Sequence, residues 1–294
     1  MSFDLIFYRD HASNGHLDGY DLEECLMEVK LVMCDLDGTL LTEEKTITDL
    51  SREAIAKLKK KGVSFGIATG RPTESVLRTL QTQQILSYVD VVVTNNGVTW
   101  LDRKDQVELQ TYTLKIQNAI EIFYYLKSLD VSFAIYDQRY LYTNKINDGI
   151  ERLLGFHHLE PYLCEISEIK KPEIHKFILS IDENRMSELE VLAKQLPTID
   201  YHGFKTQADL YEFVDRRVSK ALAIQRYANK YGYDLDQVMA FGDTSNDIAM
   251  LKEVGWGVCM ANGTEDARIV SDDFALSNEE DGVAKYLIDH FKLI

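Results

Sequence analysis

The sequence predicts an α/β fold, with a parallel sheet as its core and an α+β unit inserted into that core. Near both ends of the chain, strand-like runs alternate with helix-like runs, a pattern typical of a parallel sheet covered on both faces. Between them, pairs of strand-like runs alternate with single helices, which favours an antiparallel sheet. Several strands of the first kind also end in polar residues, where open α/β sheets bind ligands.

The parallel-sheet pattern begins with Leu31–Cys34, a short apolar run that we expect to form a buried strand. The elements that follow it before the middle region are expected over residues 49–61 (helix), 63–68 (strand), 74–84 (helix) and 89–93 (strand). Those after the middle region are expected over residues 220–231 (helix), 238–241 (strand), 246–253 (helix), 257–260 (strand), 274–276 (strand) and 283–291 (helix). We therefore assign residues 30–110 and 215–294 to the parallel-sheet domain.

Residues 111–214 form the inserted unit in this interpretation. Gln138 and Arg139 separate two strand-like runs, which predicts a hairpin rather than a crossover. The elements of the unit are expected over residues 116–129 (helix), 131–136, 140–143 and 177–181 (strands), 186–196 (helix), 200–204 and 210–214 (strands). Residues 1–29 are left as an N-terminal extension.

The composition restricts the class of partner. The net charge is −16, from 48 acidic and 32 basic residues, and such a surface repels nucleic acid and anionic lipid. No apolar stretch reaches the length of a membrane span, and the first residues lack the pattern of a signal peptide. The four cysteines show no paired spacing, which favours free thiols over disulfides or a metal site. We expect a cytoplasmic protein, as a monomer or homodimer.

Two carboxylates, Asp35 and Asp37, directly follow the first apolar strand, and Gly38 and Thr39 then impose a turn. Paired carboxylates at the mouth of a buried strand repel each other and resist desolvation, so they need a compensating charge. A hard divalent cation supplies it, because such cations prefer carboxylate and carbonyl oxygens. With its charge masked, one Asp can act as a nucleophile towards phosphorus.

Polar residues follow two other predicted strands in the same way. Thr69 comes after the strand at 63–68, and Asp243 comes after the strand at 238–241. Since carboxyl ends of parallel strands share one edge of the sheet, we expect these residues to converge with Asp35 on one crevice.

Four motifs resemble the signatures of the haloacid dehalogenase-like (HAD) phosphohydrolases, in that family's order. They are Asp-Leu-Asp-Gly-Thr-Leu at 35–40, Ile-Ala-Thr-Gly-Arg-Pro at 67–72, Val-Ser-Lys at 218–220 and Phe-Gly-Asp-Thr-Ser-Asn-Asp at 241–247. The resemblance covers residues 30–294 and implies a Rossmann-like core. Such proteins hydrolyse phosphoesters through an aspartyl-phosphate, so the chain is expected to be a phosphoric monoester hydrolase.

The resemblance implies a catalytic role for three residues. Asp35 matches the nucleophile, and Asp37 matches the general acid and base that protonates the leaving oxygen and then activates water. The Lys220 ammonium would neutralise the nucleophile and the developing phosphoryl charge. Ala221 stands where related proteins usually have Gly, which leaves the lysine untouched.

The remaining matched residues would bind phosphate or metal. Asp35, Asp243 and the backbone carbonyl of Asp37 match the metal ligands, and Asp247 would orient metal-bound waters or Lys220. An all-oxygen ligand set favours Mg²⁺ over Zn²⁺. The residues expected to bind the phosphate are Leu36, Thr69, Gly70, Lys220 and Asn246. Arg71 is left open between a contact with substrate and an ion pair with a surface acid.

The position of the inserted unit, between the second and third motifs, resembles the Cof-type class IIB members. Asn-Asn-Gly at 95–97 and the segment 278–283 add to this resemblance, whereas Met-Ala-Asn-Gly at 260–263 departs slightly from the usual order. Caps of this type close over small phosphorylated metabolites such as sugar phosphates and phosphorylated cofactors. The alternatives are a phosphomutase and a non-catalytic ligand-binding regulator on the same fold. A dehalogenase fits less well, because it has no use for the acid/base Asp or the metal-binding acids.

Neither the cap nor the N-terminus contains a diagnostic motif. Most aromatic and imidazole side chains of the cap are expected to pack in its core or lie on its surface, and those that could face a substrate are Tyr136, Tyr142, His157, His158, His175 and His202. Residues 1–29 carry seven acids and one Arg. A regulatory arm, an extra edge element and an artefact remain open for them, as does a natural start at Met27.

Overall fold

The computed structural model describes residues 28–197 and 199–293. Most of the expected N-terminal extension, with Cys25 and Met27, lies outside the described residues. Within these two ranges, no helix combines the length and the apolar character needed to cross a bilayer.

The secondary structure alternates at both ends of the described chain and changes in the middle, as the sequence pattern indicates. The strands are β1 (Leu31–Cys34), β2 (Ser64–Ala68), β3 (Val91–Thr94), β4 (Thr99–Asp102), β5 (Val107–Gln110), β6 (Leu114–Lys115), β7 (Ser132–Asp137), β8 (Tyr140–Thr143), β9 (Glu160–Leu163), β10 (Glu173–Ile174), β11 (Phe177–Ser180), β12 (Tyr201–Gln207), β13 (Leu210–Asp215), β14 (Val238–Gly242), β15 (Trp256–Met260) and β16 (Asp273–Ala275). The α-helices are α1 (Asp49–Lys60), α2 (Thr73–Thr82), α3 (Ile116–Leu126), α4 (Asp148–His157), α5 (Met186–Ala193), α6 (Lys220–Lys230), α7 (Ile248–Glu253), α8 (Glu265–Val270) and α9 (Gly282–Phe291).

The larger sheet has the strand order β16-β15-β14-β1-β2-β3-β4-β5. Its first six strands in this order are parallel, whereas β4 and β5 run antiparallel to their neighbours. Helices α1, α2 and α9 pack on one face of the sheet, and α6 and α7 pack on the other. We call this sheet and its helices the core. The α/β fold class predicted from the sequence is confirmed, and the two antiparallel strands are an addition to it.

Strand β1 occupies the middle of the core because it can bury side chains on both faces. Val32 and Cys34 belong to the cluster under α1, and Leu31 and Met33 belong to the cluster under α6. All four are fully buried, as expected for a central strand of a parallel sheet. Burial of this strand fixes the direction in which the next residue, Asp35, leaves the sheet.

The second large sheet has the order β12-β13-β11-β7-β8-β9 and is antiparallel except between β8 and β9. Helices α3 and α5 cover one face, and α4 covers the other. We call this sheet and its helices the cap. Strands β7 and β8 form the expected hairpin around Gln138 and Arg139. The domain boundaries at 110/111 and 214/215 stay a prediction.

The sequence pattern missed some elements and extended others. Helix α4 escaped prediction because Gly149 and Gly155 lower its helix propensity. The helix predicted over 116–129 ends as an α-helix at Leu126 and continues as one 3₁₀ turn. The helix predicted over 246–253 begins with a 3₁₀ turn at Ser245–Asp247, and α7 follows that turn.

Candidate active site

Three neighbouring strands of the core end at the same place. Strand β1 pairs with β2 on one side and with β14 on the other, so Cys34 lies opposite both Ile67 and Phe241. Asp35 directly follows β1, and Asp243 directly follows β14. The backbone amide of Asp35 donates to the carbonyl of Phe241 at 3.0 Å. The expected convergence at the carboxyl edge of the sheet is therefore present.

Three carboxylates meet at this edge, and we call Asp35, Asp243 and Asp247 the carboxylate cluster. One oxygen from each lies within 4.8 Å of the others, and all three residues are buried. The ammonium of Lys220 donates to Asp35 Oδ1 and to Asp247 Oδ1, both at 2.6 Å. Asp247 Oδ2 in turn accepts from the backbone amide of Asp243 at 2.9 Å. Asp247 was expected to orient metal-bound waters or Lys220, and its hydrogen bond to the ammonium is compatible with the second of these tasks.

The carboxylate cluster carries more negative charge than its surroundings balance. Three carboxylates face one ammonium, so two negative charges remain in excess if all are ionised. Burial raises the pKa of Asp35 well above its usual value, and Asp247 and Asp243 add to the rise. Burial and Asp247 likewise raise the pKa of Asp243 to about 7. A divalent cation fits both the excess charge and the all-oxygen donor set.

Gly38 is required by the close approach of Asp243. Its φ of +83° is a left-handed conformation, which favours glycine, and a Cβ placed there would lie 2.4 Å from Asp243 Oδ2. The next residue, Thr39, donates its hydroxyl to Asp243 Oδ1 at 2.8 Å. The turn after β1 therefore positions the Asp243 carboxylate as well as the two aspartates of the first motif.

Lys220 is the first residue of α6, and its side chain is fully buried. The Ser219 hydroxyl caps the helix by accepting from the amide of Leu222 at 3.0 Å. Burial opposes a charged ammonium, but Asp247 and Asp35 outweigh it and hold the pKa of Lys220 above its ordinary value. The lysine is therefore charged at neutral pH, as an electrostatic partner of a phosphoryl group must be.

The side chain of Asp37 lies apart from the carboxylate cluster and forms ion pairs. Arg71 donates from Nε and from a terminal nitrogen to the two Asp37 oxygens, each at 2.6 Å, and Lys45 adds a contact at 3.0 Å. Although burial opposes ionisation, these cations lower the pKa of Asp37 below its usual value. Arg71 itself is buried, and the acid that it pairs with is Asp37, whose side chain is 38% exposed.

The residues predicted to bind phosphate surround the same edge of the sheet. Thr69 is buried, and its hydroxyl accepts from the amide of Arg71 at 3.2 Å. The Asn246 amide donates to Asn96 Oδ1 at 3.2 Å. The side chain of Leu36 is fully buried in the core, so only its backbone can reach a phosphate. The roles of these residues stay predictions.

A cavity of about 460 Å³ separates this edge of the core from the cap, and we call it the crevice. Asp35, Asp37, Thr69, Gly70 and Asn246 line its floor. The cap contributes both aromatic and charged side chains to the opposite wall. The cap wall includes Tyr136, Phe156, His157, Lys176, Thr206 and Glu212.

Of the cap residues singled out from the sequence, Tyr136 and His157 line the crevice. Burial, together with Lys176 and Arg71, lowers the pKa of His157 to about 3, so its imidazole is neutral. Within the described residues, the crevice wall does not include the remaining members of that set, which are Tyr142, His158, His175 and His202.

Sequence reasoning missed Lys176 and Glu212, which form a buried ion pair with Nζ–Oε1 at 2.9 Å. A signal was present in the sequence, because Lys176 directly precedes the largely apolar strand β11 and Glu212 lies between Tyr211 and Phe213 in β13. It also missed Phe156, whose ring lies 4.4 Å from the guanidinium of Arg71. Phe156 belongs to α4, an element that the pattern did not predict.

Known proteins with similar sequences or folds match most of this chain. A protein of Streptococcus pyogenes serotype M6 is 32% identical over 263 residues, which cover 88% of this chain and 97% of that protein. The Bacillus subtilis 5-amino-6-(5-phospho-D-ribitylamino)uracil phosphatase YitU is 26% identical and covers 91% of this chain and 100% of its own. The structure of the HAD subclass IIB sugar phosphatase BT4131 superposes with a TM-score of 0.77 at 22% identity, over 90% of this chain and 100% of that one.

At this identity the BT4131 structure shows the fold alone. That protein is described as a member of subclass IIB, the class that the inserted unit of this chain resembles. The family model of the haloacid dehalogenase-like hydrolases matches residues 32–287, which include both halves of the core, the cap and all four motifs. The chain belongs to the haloacid dehalogenase-like hydrolase family.

Proposed function

We propose that this HAD-family phosphatase uses Mg²⁺ to hydrolyse small phosphorylated metabolites through an aspartyl-phosphate on Asp35. The observation that carries the proposal is the carboxylate cluster with Lys220 on the floor of a crevice roofed by the cap. Buried carboxylates with raised pKa values, beside a charged lysine in a cleft, are typical of a reaction site. The crevice volume suits a small molecule.

In the first half-reaction, a carboxylate oxygen of Asp35 forms a bond to phosphorus while the ester P–O bond breaks. The leaving oxygen takes a proton from Asp37, and Lys220 balances charge on the phosphoryl oxygens. In the second half, a water oxygen attacks phosphorus and releases Asp35, and Asp37 accepts the water's proton. The pairing of Asp37 with Arg71 favours the ionised form, which this second half requires, whereas the first half requires that Asp37 take up a proton beforehand.

The residues that would hold Mg²⁺ are Asp35, Asp243 and the backbone carbonyl of Asp37. When bound, the ion supplies positive charge that masks the carboxylates and draws electron density from the phosphoryl oxygens. Thr69, Gly70, Asn246 and the backbone of Leu36 would bind the phosphate in this scheme.

For the substrate we propose sugar phosphates or phosphorylated cofactors and their precursors. Support comes from two of the similar proteins, one named as a phosphatase of a phosphorylated ribitylamino-uracil and the other described as a sugar phosphatase. We further propose that the enzyme is cytoplasmic, because the described cysteines Cys34, Cys164 and Cys259 are free thiols. Its proposed oligomeric state is a monomer or homodimer.

The test is a panel of phosphorylated sugars and cofactors, assayed for phosphate release with Mg²⁺ and with excess chelator. We expect Mg²⁺-dependent hydrolysis of at least one member and none by the matched Asp35→Asn variant. Transfer of phosphate to a second sugar position without release would instead indicate a phosphomutase. Binding without any turnover would indicate a regulator.

A further inference from the structure

We propose that the buried pair Lys176–Glu212 is a positioning device by which the closed cap completes the phosphate site of the core. The inference rests on the proposed function, since it concerns Gly70 and Asn246, two of the proposed phosphate-binding residues. Neither member of the pair belongs to the four motifs.

Lys176 connects the cap to the turn that follows β2. Its side chain is 4% exposed, and its ammonium donates to the carbonyl of Gly70 in the core at 2.9 Å. The same ammonium contacts both oxygens of Glu212, at 2.9 and 3.1 Å. A cap lysine therefore fixes the carbonyl of the residue whose backbone is proposed to face the phosphate.

Glu212 continues the connection to the opposite side of the phosphate site. Its Oε2 accepts from the side-chain amide nitrogen of Asn96 (Nδ2) at 3.1 Å, and the Oδ1 of Asn96 accepts from the side-chain amide of Asn246 at 3.2 Å. The backbone of Asn96 lies in the left-handed region, with φ of 58°, and its backbone N–H donates to the carbonyl of Thr69 at 3.1 Å. The chain of contacts thus runs from the cap through Asn96 to Asn246.

Both charges of the pair belong to the cap and move with it. Lys176 immediately precedes β11, whose Ile178 lies opposite Glu212 on β13. If the cap moves away from the core, Gly70 and Asn96 lose their partners while the pair stays intact. The phosphate-binding turn is then held less firmly, and closure restores it. Fixing groups before reaction is the part of catalysis that such contacts supply.

Two alternatives fit the contacts less well. A role in stability alone is a weak explanation, because a buried ion pair often contributes no more than apolar residues of similar size. A direct contact with the leaving group would need a free donor on Lys176. Its three ammonium hydrogens already have three acceptor atoms, one on Gly70 and two on Glu212.

The test replaces both charges together, as Lys176→Met with Glu212→Gln, so that no unpaired charge is left in the interior. We expect kcat/KM to fall by about 10- to 100-fold, by the same factor for every substrate of the panel. Inorganic phosphate should inhibit this variant at least several-fold more weakly. It should also raise the melting temperature of the variant less than that of the wild type, a readout that needs no turnover.

The matched control is Ser75→Ala, which removes a different contact between cap and core, His157 Nδ1 to Ser75 Oγ at 3.2 Å. We expect this control to keep the wild-type response to inorganic phosphate. The single variant Glu212→Gln keeps the side-chain shape and one oxygen for the Lys176 ammonium, but leaves that ammonium without a counter-charge. Its fold is therefore checked by thermal unfolding, and we expect a loss of the same uniform kind. It decides the question if the double variant does not fold.

Three results would overturn the inference: an unchanged response to phosphate, a loss that differs between substrates, or an equal loss of phosphate binding in Ser75→Ala. Failure of the proposed function is recognised separately. In that case the wild type releases phosphate from no substrate, or Asp35→Asn retains activity, whatever the cap variants do.

Discussion

The floor of the crevice and its cap wall are built on different principles. On the floor, the carboxylate cluster and Lys220 are buried, and short hydrogen bonds join them to one another at the carboxyl edge of one sheet. On the wall, the rings of Tyr136 and Phe156 each pack edge to face against the His157 ring, with centroid distances of 5.3 and 5.0 Å. The Thr206 hydroxyl has no partner among the described residues.

This difference separates two tasks. Charges held by a rigid sheet suit a reaction that is the same for every phosphoester, because the phosphoryl group does not vary. An aromatic wall with an unsatisfied hydroxyl suits the part of the substrate that does vary, since it offers surface and a hydrogen-bonding group. We therefore expect mutations of the floor to lower all activities, and mutations of the aromatic part of the wall (Tyr136, Phe156 and His157) to change their order. The Lys176–Glu212 pair, which contacts the phosphate-binding turn, should behave like the floor.

The largest effect is expected for Asp35→Asn on the floor. The amide has nearly the shape of the carboxylate but is a far poorer nucleophile, so turnover should fall by several orders of magnitude. Phosphate release by the purified variant measures it, with thermal unfolding as the control for the fold. Turnover close to that of the wild type would remove Asp35 from its proposed role.

Exchange of the metal is expected to come next. Mg²⁺ should support activity, with Mn²⁺ or Co²⁺ as substitutes, and Ca²⁺ should inhibit. Ca²⁺ takes more ligands, so it tends to bind both oxygens of Asp35 and prevent their attack on phosphorus. Initial rates with each ion after chelator treatment provide the measurement. Full activity in excess chelator would contradict a metal-dependent floor.

Lys220→Ala tests the uniform character of the floor. Loss of a preorganised charge beside the reacting group commonly costs about 10²–10³ in kcat, and the cost should be similar for all substrates. The measurement is kcat for each member of the substrate panel. A variant that reorders preferences at undiminished rate would show that the floor also selects substrates.

Phe156→Leu on the wall should have the smallest effect. It removes the ring that lies against Arg71 but keeps an apolar side chain, and such cation–π contacts amount to about 0.5–2 kcal/mol. We expect changes of a few-fold in kcat/KM that differ between substrates and reorder them. An equal reduction for all substrates would assign Phe156 to the chemistry, and the division between floor and wall would fail.

The floor was more accessible to sequence reasoning than the wall, for a physical reason. Asp35, Thr69 and Asp243 directly follow apolar runs, so alternation alone predicts that they meet at one edge. Lys220 follows no such run and was found through the third motif. Its hydrogen bonds to Asp35 and Asp247 join residues far apart in the chain.

The wall depends on contacts between segments that no local pattern connects. Lys176 and Glu212 are brought together by the register of two antiparallel strands. One contact of the floor shares this property, since the pairing of Arg71 with Asp37 requires two turns to face each other. Phe156 lies on a glycine-containing helix that propensity does not predict. The fold class and the floor could therefore be predicted, whereas the wall required the structure.

The neutral imidazole of His157 links the position of the cap to acidity. Burial lowers the pKa of His157 most, the cations of Lys176 and Arg71 lower it further, and Asp37 and His158 act more weakly, so that it is about 3 against an ordinary 6.5. If opening of the cap exposes His157 to water, the imidazole binds a proton in the open form at pH values where it stays neutral in the closed form. The equilibrium constant for closure is then at its maximum above pH 6.5. It decreases as the pH falls from 6.5 towards 3, by up to tenfold per pH unit. Protons would act as a competitive ligand of the open enzyme, seen as a KM that rises on acidification.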